Sequence, residues 1–243
     1  MSTGFRCKQF YVEHGDCAMK VSTDALILGA WTAVPATGSV LDIGAGTGIL
    51  SLMLAQRAAA VRVDAIELDA VAAHVARQNF TASRFSARLR LFQGDILTYP
   101  RSPDYRSEQR YDLIISNPPF FQDGVKSKEP TRQRARHTDS LPFPDLLQVA
   151  AQCIQPTGIF SLVLPCVEAK LLLDYAQATQ WQLIRQCTVY SIPAKPIRTL
   201  LTLQRVNAVT DLAPISEQLV IRQHDGQYSA EYRTLLRDFY LKF

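Results

Sequence analysis

Apolar residues along this chain gather into short runs that end abruptly at polar or breaker residues, with longer stretches of helical period between them. Tyr111-Asp112-Leu113-Ile114-Ile115-Ser116 is β-branched and nearly uninterrupted, as in a strand covered on both faces of a parallel sheet. Val40 to Ile43, Val61 to Ile66, Arg88 to Phe92 and Gly158 to Leu164 are the other runs that predict strands. Between them, Ile49 to Ala55, Ala70 to Ala76 behind a capping Asp69, Leu141 to Ile154 and Val167 to Gln180 predict helices. Gln182 to Tyr190 and Arg198 to Arg205 predict two late strands around Pro193 and Pro196. Leu219 to Arg222 predicts an extra strand, and a helix follows from about Ser229 to Tyr240. Ahead of the first core strand, a hydroxyl or Asp24 opens a helix through Leu26, Ile27, Leu28 and Trp31, and Phe5, Phe10 and Tyr11 are expected to pack over the sheet edge.

Alternating strands and helices predict an α/β fold, Rossmann-like and doubly wound around a mostly parallel sheet. In such sheets ligands bind beyond the carboxyl ends of the strands, so the residues at those ends carry the functional information. Val40 to Ile43 runs into Gly44-Ala45-Gly46-Thr47-Gly48 and then a helix, an opening shared by many nucleotide-binding proteins. A dinucleotide fingerprint needs a glycine at position 49, where Ile49 stands, and no Lys-Ser/Thr pair follows the glycines as in a phosphate-binding loop. What remains is Asp-x-Gly-x-Gly-x-Gly beginning at Asp42, which resembles the S-adenosylmethionine loop of class I methyltransferases. That resemblance implies backbone near the amino-acid moiety of the cofactor, with Asp42 orienting it directly or through water. Glu67 closes the second strand, where an acid can accept from both ribose hydroxyls. The third strand leads to Gly94-Asp95-Ile96; the resemblance gives Asp95 the adenine amino group and places Ile96 beside it. Lys20 and Thr23, at the start of the first helix, offer a positive end to the cofactor carboxylate.

The fourth strand stops at Asn117-Pro118-Pro119-Phe120, because two prolines cannot continue a ladder. The Asn117 carboxamide oxygen and the Pro118 carbonyl are then adjacent acceptors, suited to a planar amino group on an unsaturated carbon, and the Phe120 ring can stack on a flat base. Catalysis is expected at Asn117, Pro118 and Phe120.

The chain of 243 residues is 47% hydrophobic and carries a net charge of +4, which fits one globular domain and neither demands nor forbids a polyanionic partner. The distribution is more telling: between Lys126 and His137, shortly after the Asn-Pro-Pro-Phe turn, Lys126, Lys128, Arg132, Arg134 and Arg136 stand against the single acid Glu129, a stretch suited to a phosphate backbone. Five cysteines without a C-x-x-C pair and four scattered histidines give no metal spacing and suit a reducing cytoplasm. No run is long and apolar enough to span a membrane, and a signal-peptide core is not evident.

End to end, the chain resembles the bacterial tRNA(Val) adenine-N6 methyltransferase family. The residues that carry the likeness are Lys8-Gln9-Phe10, Cys17 to Asp24, Leu28-Gly29-Ala30-Trp31, the glycine loop, Ile114 to Phe120 and Asp238-Phe239-Tyr240-Leu241. Ser22 stands where some relatives carry glycine. The resemblance implies seven strands with the last one antiparallel and inserted near the edge. It also implies S-adenosylmethionine as cofactor, and the anticodon loop of tRNA as partner, methylated at N6 of the adenosine immediately 3′ of the anticodon. A single methyltransferase domain is expected over 1–243, with a cap segment at 1–37, a catalytic core at 38–205 and an extension at 206–243. The same acceptor pair also suits adenine or guanine N2 in ribosomal RNA, adenine in DNA, or the glutamine of a release factor. A non-catalytic RNA-binding module on the same scaffold is the alternative of a different class.

Overall fold

The computed structural model describes residues 4–17, 20–103, 105, 110–119, 141–206 and 213–243. A short antiparallel hairpin, β1 (Gly4–Arg6) and β2 (Tyr11–Glu13), precedes α1 (Thr23–Trp31). Then strands and helices alternate: β3 (Thr37–Ile43), α2 (Ile49–Arg57), β4 (Ala60–Glu67), α3 (Ala70–Ala82), β5 (Leu89–Gln93) and β6 (Tyr111–Ser116). The second half comprises α4 (Phe143–Cys153), β7 (Ile154–Leu164), α5 (Cys166–Ala178), β8 (Trp181–Tyr190), β9 (Pro196–Arg205), β10 (Ile215–Val220) and α6 (Ala230–Leu236).

Among the described residues the main sheet has eight strands in the order β10-β8-β9-β7-β6-β3-β4-β5. Only β9 runs antiparallel to its neighbours β7 and β8, and the other pairs are parallel. Seven of these strands reproduce the expected arrangement, with the antiparallel one inserted next to the edge; β10 is the extra strand, added parallel to β8. It begins four residues earlier and ends two residues earlier than the apolar run suggested. Its first four residues, Ile215-Ser216-Glu217-Gln218, are largely exposed edge, which needs no hydrophobic pattern.

Two apolar layers cover the sheet. One contains Leu26 and Ile27 of α1, Leu52 and Met53 of α2, Phe80 of α3 and Tyr232 of α6. The other contains Leu146 and Leu147 of α4 and Leu172 of α5. β6 is central, and Leu113 and Ile115 join the first layer while Tyr111 and Ile114 join the second, which is why its run is continuous.

Element boundaries moved where side chains took over backbone duties. β5 begins one residue later than predicted because Arg88 sits in a 3₁₀ turn, where its guanidinium donates to the carbonyls of Ala55, Ala58 and Val61 at 2.7–2.9 Å. β7 starts at Ile154, ahead of the expected Gly158, and its pairing with β6 slips between Tyr111 and Leu113. The last helix stops at Leu236 and closes with the Phe239 and Tyr240 amides on the Leu236 carbonyl. Ser22, not Asp24, caps α1, accepting the Ala25 amide at 3.2 Å, while Asp24 pairs with Arg198 of β9 at 2.7 Å.

The two ends of the chain meet. The Lys8 amide donates to the Phe239 carbonyl at 2.9 Å, its ammonium donates to the carbonyls of Arg237 and Phe243, and Phe5 packs edge-on against Tyr240. Phe10 packs against Phe85 beyond α3 and Phe5 packs on the same layer, whereas Tyr11 lies under the Arg6 guanidinium and outside it. No disulfide joins the five cysteines, and burial pushes the Cys7 and Cys187 thiols up to about 12 and Cys153 to about 11. Among the described residues no helix is long and apolar enough to cross a membrane, and no group of three His, Cys, Asp or Glu side chains is placed to hold a metal ion.

Candidate active site

β3 and β6 are hydrogen-bonded neighbours, and Ile43 pairs with Ser116 as the last residue of each strand. The glycine loop and the Asn117-Pro118 turn therefore leave the sheet side by side. The Ser116 hydroxyl donates to the Ile43 carbonyl at 2.9 Å and ties the two exits together. Asn117 is half-buried and Pro118 buried at this edge.

The loop is a left-handed turn: Gly44, Gly46 and Gly48 have φ of 73°, 56° and 85°, values that a side chain rarely adopts. The amides of Gly44 and Ala45 both donate to the Ile66 carbonyl of β4, at 2.9 and 3.0 Å. A Cβ at Gly44 or Gly46 would meet nothing within 4 Å, and the same holds at Gly94 beyond β5. These three glycines border an open cradle. Gly48 differs, because a Cβ there would lie 2.4 Å from the Phe80 ring. Its glycine serves packing of α2 against α3.

Asp42 is fully buried beneath the loop. Its Oδ2 accepts the Ser51 hydroxyl at 2.6 Å and the Ser51 amide at 3.1 Å, whereas Oδ1 has no hydrogen-bond partner among the described residues. Burial pushes the carboxyl up to about 7, against the lowering by Ser51, and the neighbouring Glu67 adds to the rise. Glu67, also buried, is held by backbone: its Oε2 accepts the Gly46 amide at 2.7 Å and its Oε1 the Asp69 amide at 2.8 Å. Burial raises its carboxyl, and those amides oppose the rise. The Glu67 carbonyl accepts the Gly94 amide at 2.9 Å, which joins the third strand end to the first two. Asp95 accepts the Leu97 amide at 2.9 Å, and Asp69 caps α3 as expected through the Ala72 amide at 2.7 Å.

The structure thus brings together Asp42, Gly44, Gly46, Gly48, Glu67, Asp95, Asn117 and Pro118 at one edge. Ile96 puts its side chain into the second apolar layer. Lys20 is exposed, and Thr23 lines a separate cleft with Ser191, Ile197 and Tyr228, near β8 and β9. Phe120 and the cations Lys126, Lys128, Arg132, Arg134 and Arg136 lie outside the described residues.

Two supporting residues escaped the sequence reading. Ser51 is the partner of Asp42, and a polar residue in an otherwise apolar helix segment was its signal. Asn79 lies in the buried stripe of α3: its amide donates to the carbonyls of Thr47 at 2.9 Å and Glu13 at 3.1 Å, and its oxygen accepts the Glu13 amide at 2.9 Å. It fastens the N-terminal hairpin to the glycine loop. A buried asparagine among alanine, valine and phenylalanine is itself a flag.

Strand order, glycine loop and acids at successive strand ends define a class I methyltransferase. The crystal structure of a predicted O-methyltransferase from Agrobacterium tumefaciens superposes with a TM-score of 0.65, covering 89% of this chain and 96% of that one at 17% identity. Residues 19–166 match the methyltransferase small domain family. The tRNA1(Val) (adenine(37)-N6)-methyltransferase of Aliivibrio fischeri is 43% identical over 244 residues, 99% of each chain, and the enzyme of that name from Tolumonas auensis is 44% identical over 240 residues, 98% of this chain and 97% of its own. The chain belongs to the tRNA1(Val) (adenine(37)-N6)-methyltransferase family.

Proposed function

We propose that the protein transfers a methyl group from S-adenosylmethionine to N6 of the adenosine immediately 3′ of the anticodon in tRNA(Val), in the cytoplasm, with residues 1–243 acting as one methyltransferase domain. The observation that carries this reading is the Ile43–Ser116 pairing, which sets the Asn117-Pro118 acceptors one strand away from the open glycine cradle.

The residues fit the cofactor. The cradle at Gly44, Gly46 and Gly94 has room for a ligand against bare backbone, Glu67 keeps further lone pairs for ribose hydroxyls, and the unpartnered Asp42 Oδ1 suits the cationic amino-acid end. Asp95 takes the adenine amino group and Ile96 lies beside it. Lys20 remains a candidate for the carboxylate, whereas Thr23 lines the separate cleft near β8 and β9. When bound, S-adenosylmethionine supplies an electrophilic methyl on a sulfonium.

The chain's own task is to prepare the amine. An exocyclic amino group shares its lone pair with the ring and is a weak nucleophile. Two acceptors on its hydrogens, the Asn117 carboxamide oxygen and the Pro118 carbonyl, draw it towards tetrahedral geometry and free that pair for in-line attack. Orientation supplies much of the remaining acceleration. No strong base is needed, since the nitrogen proton becomes acidic once the methyl has arrived. A neutral acceptor suits the site better than a carboxylate, which costs more to desolvate. Phe120 is assigned to stacking on the target base, and Lys126, Lys128, Arg132, Arg134 and Arg136 to the RNA backbone. The base must leave its stack to enter, at small cost in a loop.

The test is methyl transfer from labelled cofactor to total tRNA, ribosomal RNA, DNA and release factor, with nucleoside analysis. N6-methyladenosine in tRNA alone supports the reading. Label confined to protein or ribosomal RNA overturns the substrate. Asn117→Ala is expected to lose transfer while keeping cofactor affinity, and an active variant would remove Asn117 from the mechanism.

A further inference from the structure

The carboxyl edge of the sheet continues past the proposed catalytic turn. Leu164 of β7 pairs with Thr199 of β9, Tyr190 of β8 with Pro196, and Val220 of β10 with Tyr190, so the ends of all these strands lie along one edge. From β6 to β10 is four strand spacings, roughly 19 Å at about 4.8 Å each.

At the far end stands a built platform. The Arg222 guanidinium lies 4.0 Å from the Tyr228 ring centroid, and Tyr228 stacks on Tyr232 with centroids 5.0 Å apart and planes at 17°. Arg222 Nη1 donates to the Gly226 carbonyl at 2.7 Å, and its backbone pairs with Tyr228 across the turn. Three planar groups are therefore held in one pile, fixed from below by the buried Tyr232, with the exposed Arg222 outermost. Beside it is a cleft of about 260 Å³ between the start of α1 and the end of β8. That is just under the roughly 300 Å³ at which small-molecule pockets begin, so it suits one base rather than a whole cofactor. Charge agrees without deciding: Asp24 of the cleft pairs with Arg198, and Asp225 of the turn accepts the Gln227 amide.

We infer that this platform is a second RNA contact, on which a single-stranded nucleotide flanking the target adenosine stacks against the Arg222 plane. Unpaired bases are recognised in this way, on guanidinium planes and aromatic rings. The distance along the edge is too great for the target base itself to reach. The inference rests on the RNA substrate proposed above.

Arg222→Ala and Arg222→Lys test it, through the KM for tRNA in methyl transfer and the dissociation constant of a labelled anticodon stem-loop. Both variants should weaken RNA binding by about 5- to 100-fold, the loss of one base stack, with the S-adenosylmethionine dissociation constant unchanged. Equal loss in the lysine variant separates a stacked plane from a charge on phosphate. Wild-type RNA affinity in both variants, or retention by lysine alone, overturns the inference. Should either variant fail to fold, photocrosslinking of the wild-type protein to a thiouridine-substituted stem-loop decides instead: label in the 221–229 peptide supports it, and label only elsewhere sinks it. N6-methyladenosine formed by the wild type with unaffected Arg222 variants removes this contact alone. A wild type that neither methylates nor binds tRNA removes the functional reading as well.

Discussion

The Ser51 hydroxyl donates to Asp42 at 2.6 Å, the shortest tie between the glycine-loop helix and the strand beneath it. With the Ser51 amide on the same oxygen, Oδ1 is left as a buried acceptor with no hydrogen-bond partner among the described residues. Ser51→Ala removes one of two donors from a fully buried carboxylate, a loss of about 1–3 kcal/mol. The variant is expected to melt earlier and to bind S-adenosylmethionine more weakly. Calorimetry and titration would read both, and unchanged affinity would show that Asp42 does not act on the cofactor.

Burial pushes Asp42 up to about 7, so its folded carboxyl holds a proton that the unfolded chain has already released over roughly pH 4 to 7. The unfolded state binds fewer protons in that window, and the Asp42 contribution to stability falls as pH rises through it. Glu67, also raised, acts in the same direction. A cationic ligand beside Asp42 favours its ionised form, so cofactor affinity should increase from pH 6 to 8 with proton release below 7. Titration in buffers of different ionisation enthalpy counts those protons. Asp42→Asn should flatten both pH profiles, and a variant that kept the wild-type slope would assign it to another group.

Gly46→Ala and Gly48→Ala separate the two uses of the loop glycines. Both impose a positive φ on a side chain, at about 1–2 kcal/mol. Gly46 has open space, so its alanine variant should fold and lose cofactor affinity. Gly48 abuts Phe80, and its alanine variant should be the less stable of the two by urea denaturation. The reverse order would mean that the cradle is not the binding surface.

Asn79→Ala unfastens the N-terminal hairpin from the loop, leaving Thr47 and Glu13 without their side-chain partners. Stability should fall by about 1–3 kcal/mol. Limited proteolysis should cut the 14–21 segment faster, and added S-adenosylmethionine should restore protection only partly. Cutting at the wild-type rate would show that the hairpin is held by its apolar contacts and by Lys8 without Asn79.

Much of the site is legible in the amino-acid sequence. The β6 run and its double proline placed Asn117 at a strand end because a fully covered strand has no choice but continuous apolar residues, and proline has no amide for the next rung. The glycine spacing ruled out a dinucleotide fingerprint by simple counting. Edge and terminal elements were less readable. β10 carries its polar face outwards and begins four residues ahead of its apolar run, and the β1–β2 hairpin of three-residue strands leaves no period to detect.

The sequence by itself determined the alternation of elements, the cradle-forming loop and the residues at each strand end, because those depend on local period, turn chemistry and breakers. Only the tertiary structure decided that Ile43 and Ser116 are partners, so that residues 73 apart open onto the same edge. It also decided that Ser51 holds Asp42, that Asn79 joins Glu13 to Thr47, and that Arg222 lies over Tyr228. Those are contacts between elements, set by strand order and by which face each helix covers, and no local pattern in the chain encodes them.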